Sequence, residues 1–157
     1  MALVLSSLKL LIPPPVVALI GAALMVKLAW LTPHWRVELP GRLMLGAIVA
    51  LAGLALMVSA ARALRRAQTT LSPLRPHKTS TLVTSGIYAR SRNPIYLGLV
   101  LALVGLALAM ANPLTLVGPL LVGLYLDRFQ IRPEEHVLNE RLRGAWVNYC
   151  DRTRRWL

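Results

Sequence analysis

The sequence predicts an all-α integral membrane protein with about four transmembrane helices and a C-terminal amphipathic helix on the cytoplasmic side. Of the 157 residues, 56% are hydrophobic, and the mean hydropathy of +0.58 is too high for an ordinary soluble domain. Long uncharged runs alternate with basic segments, and those segments carry most of the net charge of +12. This distribution is typical of cytoplasmic loops facing anionic lipid, and it argues against a nucleic-acid-binding protein.

The first predicted span covers residues 16–32 and follows the prolines Pro13 to Pro15, so we expect a helix to begin just after them. Residues 1–12 lack the order of basic, apolar and small residues found in a signal peptide, and we expect this segment to be retained. Lys27 lies near the end of the run, where its long side chain can carry the ammonium to the interface.

The second, third and fourth spans are predicted at residues 43–61, 94–111 and 113–127, the last two joined by a turn at Asn112 and Pro113. Small residues recur on one face of the second and third spans, which predicts that these two helices pack closely. They are Gly46, Ala50, Gly53 and Ala60 in the second span, and Gly98, Ala102, Gly105 and Ala109 in the third.

The two long polar segments, residues 62–93 and 128–157, hold seven Lys or Arg residues each, 14 of the 18 in the chain. The positive-inside tendency therefore predicts that both segments and both termini are cytoplasmic, in the inner membrane of a bacterium. Pro73 and Pro76 predict a turn or extended piece within the first segment. In the second, Pro133 reads as a helix start, and an amphipathic helix is predicted over Glu134 to Tyr149.

Several kinds of site are excluded. The single cysteine, Cys150, rules out an intrachain disulfide, and the scattered histidines give no spacing that suggests a metal site. The chain has no G-x-G dinucleotide motif and no Walker loop.

One polar cluster remains. The stretch from Leu82 to Gly98, LVTSGIYARSRNPIYLG, is dense in Tyr, Arg and Asn, and the pair Glu134 and Glu135 follows the uncharged run that begins at Pro94. Polar side chains at the end of a membrane helix are costly to desolvate, so a dense group of them suggests a binding or catalytic site. If the uncharged run folds as a hairpin, both polar groups meet at one membrane face.

These residues resemble the isoprenylcysteine carboxyl methyltransferase and phospholipid methyltransferase family. The resemblance is carried by LVTSGIYARSRNPIYLG, RPEEHVL and the end NYCDRTRRWL, about half the chain from Thr79 onward. Members of that family are integral membrane enzymes that use S-adenosylmethionine. The resemblance therefore implies one membrane methyltransferase-like domain over residues 1–157, with the segments 62–93 and 128–157 forming the cofactor pocket.

The resemblance also implies which residues form that site. Its cofactor-binding residues would be Leu82, Val83, Gly86, Tyr88, Arg92, Asn93, Pro94, Tyr96, Glu134 and Glu135, with Gly98 completing the motif. Arg92 and Glu135 are expected to be catalytic. Asn93 stands at a position where many members of the family have histidine. Ser80 stands at a position where some eukaryotic members have a second histidine.

The chemistry of these side chains agrees with such a cofactor. Carboxylates can accept from a ribose diol or an ammonium, arginine can hold a carboxylate, and tyrosine faces can stabilise a sulfonium. Each residue also has a structural interpretation: the arginines as positive-inside anchors, the tyrosines as interfacial residues, the glutamates as a helix N-terminus. Two hypotheses follow: methyl transfer to a lipophilic carboxylate, thiol or lipid amine, or a non-catalytic membrane scaffold or lipid-binding module that retains the family fold.

Overall fold

The computed structural model describes residues 12–67 and 82–157, and all the regular structure in these two ranges is helical. The helices are α1 (Pro14–Leu31), α2 (Arg42–Arg66), α3 (Pro94–Met110), α4 (Val117–Leu126) and α5 (Arg132–Arg152). The predictions for residues 1–11, for the turn at Pro73 and Pro76, and for Ser80 lie outside the described residues.

The all-α, membrane-type fold class is confirmed. By length and composition, α1, α2 and the continuous helical stretch Pro113–Arg152 could cross a membrane, while α3 is a shorter apolar helix of 17 residues. Two helices extend beyond the spans predicted for them. α1 begins at Pro14, inside the proline run, because proline is accepted in the first helical turn, and α2 continues to Arg66, five residues beyond the predicted end.

α2 and α3 form the most extensive helix contact among the described residues, and the predicted small-residue faces meet there. A Cβ atom added to Gly53 would lie 2.5 Å from the carbonyl oxygen of Gly98, and one added to Gly46 would lie 2.5 Å from that of Gly105. Lipid gives helices no hydrophobic reason to associate, so such close backbone packing supplies much of the attraction. The packing prediction is confirmed.

α1 and α4 pack on α3 through a separate apolar core. Met25 and Leu126 are fully buried there, with Leu103 of α3 between the two helices. The large apolar side chains of α1 and α2 that point away from these contacts are exposed, as expected for a lipid-facing surface.

Asn112 closes the turn between α3 and α4. Its side-chain amide donates to the backbone oxygen of Thr32 at 3.0 Å and to the Thr32 hydroxyl at 2.9 Å, while its own side-chain oxygen accepts from the Leu114 N–H. A short 3₁₀ turn, Pro113–Leu116, then leads into α4. The predicted Asn-Pro turn is thus present, and it is tied to the end of α1.

α4 and α5 are one continuous helical stretch joined by a π-helical turn, Asp127–Ile131. Pro133 lies in the first turn of α5, as predicted, but α5 continues directly from the π-helical turn. Proline has no N–H to donate to the carbonyl four residues earlier, and its ring crowds that carbonyl. The chain widens instead, with the Arg132 N–H donating to the Asp127 carbonyl five residues back.

α5 spans more than the predicted Glu134 to Tyr149 and bends at Arg143, whose φ of 33° is not helical. The bend divides α5 into two parts of similar length. Trp146 and Tyr149 are buried and Ala145 is exposed, so this part of α5 has one buried and one exposed side, as expected for an amphipathic helix.

Candidate functional site

The segment before α3 presents a buried tyrosine at the membrane face. Gly86 has a φ of +63°, a conformation that favours glycine, and it begins a 3₁₀ turn, Gly86–Ala89. This turn places Tyr88 in the interior with 2% of its surface exposed. The Tyr149 hydroxyl donates to the Tyr88 carbonyl at 2.6 Å, so α5 holds the turn in place. Burial raises the pKa of the Tyr149 hydroxyl to about 12, so it stays protonated as a donor.

The C-terminal tail crosses the entrance to α3. The Arg92 N–H donates to the Arg154 carbonyl at 3.0 Å, and the carbonyl of Arg155 accepts from the Ser91 hydroxyl at 3.4 Å and from the Asn93 side-chain amide at 3.2 Å. The amide of Asn93, a predicted cofactor-binding residue, is therefore engaged in holding the tail.

Glu135 lies between two guanidinium groups. Arg155 Nη2 is 2.7 Å from one carboxylate oxygen, and Arg92 Nη2 is 3.4 Å from the other. Arg155 also contacts Asp127, at 3.1 Å through Nη1, and Asp127 pairs on its other side with Arg132. Paired carboxylates and guanidiniums of this kind stabilise each other's charged forms, and the contact with Glu135 and Asp127 raises the pKa of the Arg155 side chain.

Glu134 has a different partner. Its Oε1 accepts a hydrogen bond of 2.6 Å from the Tyr96 hydroxyl, and no ion pair to Glu134 occurs within residues 12–67 and 82–157. Burial raises the pKa of the Glu134 carboxyl to about 7, the Tyr96 hydrogen bond opposes that shift, and the negative charge of Glu135 adds to it. The two adjacent glutamates therefore have different partners.

Two buried polar atoms at this site have no hydrogen-bond partner in the described part of the chain: the Tyr88 hydroxyl and Arg92 Nε. Buried polar groups are almost always paired, so an unpaired donor next to a charged cluster marks a place where a ligand can accept. The Arg92 guanidinium also lies 5.8 Å from the ring centroid of Trp146, which fixes its orientation.

An apolar groove of about 500 Å³ runs between α3 and α4 and ends near the charged cluster. Leu97, Val100 and Val104 form one wall. Gly123 lies in the α4 wall, and Asp127 and Trp156 close the end nearest the glutamates. A hydrocarbon chain placed in this groove would therefore point its polar end toward Asp127 and the Arg155–Glu135 pair.

A sequence model of the family described as phospholipid methyltransferase matches residues 41–143, about two thirds of the chain. The protein belongs to the phospholipid methyltransferase family. No curated protein and no solved structure matches the chain.

The family match covers α2, α3, α4 and the first half of α5, and it ends at Arg143, where α5 bends. Arg92, Tyr96, Glu134 and Glu135 thus lie inside the part that this methyltransferase family shares, whereas the tail with Arg155 lies beyond it. Together with the apolar helices, family membership identifies the chain as an integral membrane protein of methyltransferase type.

The structure brings together the residues on which the sequence prediction depended most: Tyr88, Arg92, Tyr96, Glu134 and Glu135. Pro94 is buried at the first position of α3, and Gly98 packs against α2. Leu82 and Val83 are half-buried in the extended segment before Gly86. Their binding of a cofactor remains a prediction.

The sequence did not single out Asp127, Arg155 or Trp146, which the structure places at this cluster. Asp127 had a usable signal, because it is one of only six acidic residues and stands directly at the end of a 33-residue uncharged run. Arg155 had none, since it is one of three arginines in the last six residues and only the folded tail distinguishes it.

Proposed function

We propose that the protein is an S-adenosylmethionine-dependent methyltransferase that methylates a lipophilic, membrane-embedded acceptor. The observation that carries the proposal is the meeting of Arg92, Glu134 and Glu135 with an unpaired Tyr88 hydroxyl at the end of an apolar groove, within a chain of the phospholipid methyltransferase family.

The donors and acceptors at the site fit this cofactor. S-adenosylmethionine carries a carboxylate, which suits the unpaired Arg92 Nε and Tyr88 hydroxyl. Its ammonium and ribose hydroxyls suit a glutamate carboxylate, and its sulfonium suits the face of a buried aromatic ring such as Trp146. When bound, the cofactor supplies an electrophilic methyl group.

Glu135 and Arg92 take the predicted catalytic roles by positioning. Their ion pair fixes both side chains, and Arg155 holds the opposite edge of the Glu135 carboxylate. Methyl transfer is an in-line displacement, so holding donor and acceptor in line supplies much of the rate enhancement. The tail that crosses the α3 entrance is held there by the hydrogen bond from the Arg92 N–H to the Arg154 carbonyl.

The groove between α3 and α4 supports a lipophilic acceptor. Its walls are Leu, Val and Pro side chains, which suit a hydrocarbon chain that enters from the bilayer. Its polar end adjoins Arg155, whose guanidinium also holds Glu135. A lipid lying in the groove would therefore bring its head group to the cofactor pocket, on the face that we propose is cytoplasmic.

The test is methyl transfer by the purified protein. The protein is incubated in detergent with S-adenosylmethionine that carries a tritiated methyl group, together with phosphatidylethanolamine, dodecanethiol or dodecanoate. We expect label in the lipid fraction with at least one acceptor, and at least a tenfold lower rate for Arg92→Gln, which removes the guanidinium group and its charge but keeps a polar side chain. Binding of S-adenosylhomocysteine without transfer to any acceptor would favour the non-catalytic scaffold.

A further inference from the structure

Glu134 and Glu135 are adjacent on one helix, yet the structure gives them opposite surroundings. Successive residues of an α-helix point about 100° apart, so neighbouring side chains meet different elements. Glu135 points to the arginines of the α3 entrance and the tail, whereas Glu134 points to the tyrosine on α3. Two guanidiniums stabilise one carboxylate, and a neutral hydroxyl is hydrogen-bonded to the other.

Because their partners differ, Glu134 and Glu135 are suited to different chemical roles. Both oxygens of the Glu135 carboxylate are engaged by guanidinium groups, so this carboxylate serves to hold Arg92 and Arg155 in place. A half-buried carboxylate with a neutral hydrogen-bond donor can accept a proton at low cost. Adjacent carboxyl groups whose environments differ in this way are how enzymes assign proton transfer to one group and electrostatic stabilisation to the other.

We propose that Glu134 is the general base of the reaction, and that the acceptor therefore carries a proton on its nucleophilic atom, as an amine or a thiol does and a carboxylate does not. The proposal rests on the methyltransferase function above. It assigns catalysis to Glu134, while Glu135 is the charged anchor of Arg92 and Arg155.

The chemistry balances in one sequence. An acceptor ammonium gives its proton to the Glu134 carboxylate, and the freed nitrogen lone pair forms the new N–CH₃ bond. The electron pair of the breaking C–S bond stays on sulfur, and Glu134 then releases its proton to water. A thiol follows the same course through sulfur. A carboxylate acceptor is already ionised near neutral pH and needs no base.

The groups that face Glu134 set the pH at which it can act. They are the Tyr96 hydroxyl from α3, the Tyr88 hydroxyl from the 3₁₀ turn and the Glu135 carboxylate from α5. Burial raises the pKa of Tyr88, so this hydroxyl stays neutral near pH 7. Since the pKa of Glu134 is raised to about 7, the base form is gained as the pH rises through neutrality.

The experiment compares the parent with Glu134→Gln and with Glu140→Gln, a control at an exposed acid on the same helix. Turnover is measured from pH 5.5 to 9 with phosphatidylethanolamine, dodecanethiol and dodecanoate, and S-adenosylhomocysteine binding is measured by calorimetry. We expect the parent rate with the amine or the thiol to rise through about pH 7. Glu134→Gln should lose turnover at saturating S-adenosylmethionine by about a hundredfold or more, as for a lost general base, and this loss should exceed any loss of affinity for S-adenosylhomocysteine. Glu140→Gln should behave as the parent.

The pH profile of Tyr96→Phe distinguishes an effect on the ionisation of Glu134 from a purely structural role of the Tyr96 hydroxyl. The Tyr96 hydroxyl stabilises the Glu134 carboxylate, so its removal should shift the rise in turnover to higher pH.

Three results would overturn the proposal. Glu134→Gln could keep its turnover and pH profile, it could lose cofactor affinity in proportion to turnover, or dodecanoate could be the only substrate. In each of these cases the parent still transfers methyl groups, so the proposed function stands. A parent that methylates none of the three acceptors contradicts both proposals.

Discussion

At the scale of single residues, the ionisation of Glu134 is coupled to the stability of the fold. Burial raises its pKa from an ordinary value of 4.5 to about 7, so the folded protein holds a proton that the unfolded chain has already released. The contribution of Glu134 to stability is therefore most favourable below pH 4.5 and falls as the pH rises toward 7.

Glu134→Gln replaces this carboxyl with a neutral group of similar shape, so we expect it to raise the apparent melting temperature in detergent by a few degrees above pH 7. The gain should be absent near pH 4.5, where the native carboxyl is itself neutral. Thermal unfolding followed by circular dichroism at both pH values measures it. Glu140→Gln, at an exposed side chain, serves as the control, and an equal gain at both pH values would contradict the assigned pKa.

The sequence predicts a site residue only where its position or motif distinguishes it from other residues of the same type. Glu134 and Glu135 were found because they follow an uncharged run and match a family motif, but the pattern could not say which partner each of them has. That difference comes from α3 and the tail, which place Tyr96 beside one and Arg155 beside the other. Asn93 was assigned to the cofactor because of its motif position, yet its side-chain amide holds the tail.

At the scale of elements, the contact between α2 and α3 depends on glycines that leave no space for a side chain. In Gly53→Ala and Gly105→Ala, the new methyl group would meet a backbone carbonyl at 2.5 Å, and backbone cannot move aside cheaply. We expect each variant to lose about 1–3 kcal/mol of stability, the usual cost of overpacking. The melting temperature in detergent measures the loss.

Gly123→Ala is the matched control, since it lies in another apolar helix and its new methyl group would meet Val100 at an ordinary 3.6 Å. Its stability should equal that of the parent or exceed it slightly, because alanine favours helix more than glycine does. Equal losses in all three variants would mean that the loss of glycine itself, and not the contact between α2 and α3, causes the effect.

The elements themselves were largely predictable, because apolar runs of membrane length dictate helices. The way in which α4 and α5 are joined was not predictable. Proline near the start of a charged segment predicts a helix start, and Pro133 does lie in the first turn of α5, but nothing in the sequence predicts the π-helical turn that joins this helix to α4. The bend at Arg143 has no local sequence signal beyond the following Gly144.

At the scale of the whole molecule, the fold orders the helices so that the ends of α2 and α4 and the start of α3 share one face with the tail. We predict that this face is cytoplasmic and that the turn around Arg36 is on the other side, because 14 of the 18 basic residues lie in the segments of the first face. Cysteine labelling in intact cells tests it, in a Cys150→Ser background.

An impermeant maleimide should label Arg36→Cys in intact cells, and should label Arg66→Cys and Asp151→Cys only after the cells are made permeable. All three positions are exposed, so access to the protein surface does not limit the reaction. Labelling of position 66 or 151 in intact cells would reverse the proposed orientation and put the pocket on the wrong side for a cytoplasmic cofactor.

The most direct measurement is calorimetric titration of the purified protein with S-adenosylhomocysteine, for the parent, Arg92→Gln, Glu135→Gln and Glu140→Gln. Loss of one charge-assisted interaction costs about 1.5–3 kcal/mol, which is about ten- to a hundredfold in affinity. We expect losses of that size for Arg92→Gln and Glu135→Gln and no loss for Glu140→Gln. A parent that binds no S-adenosylhomocysteine, or four proteins that bind it equally, would contradict the assignment of this cluster as the cofactor pocket.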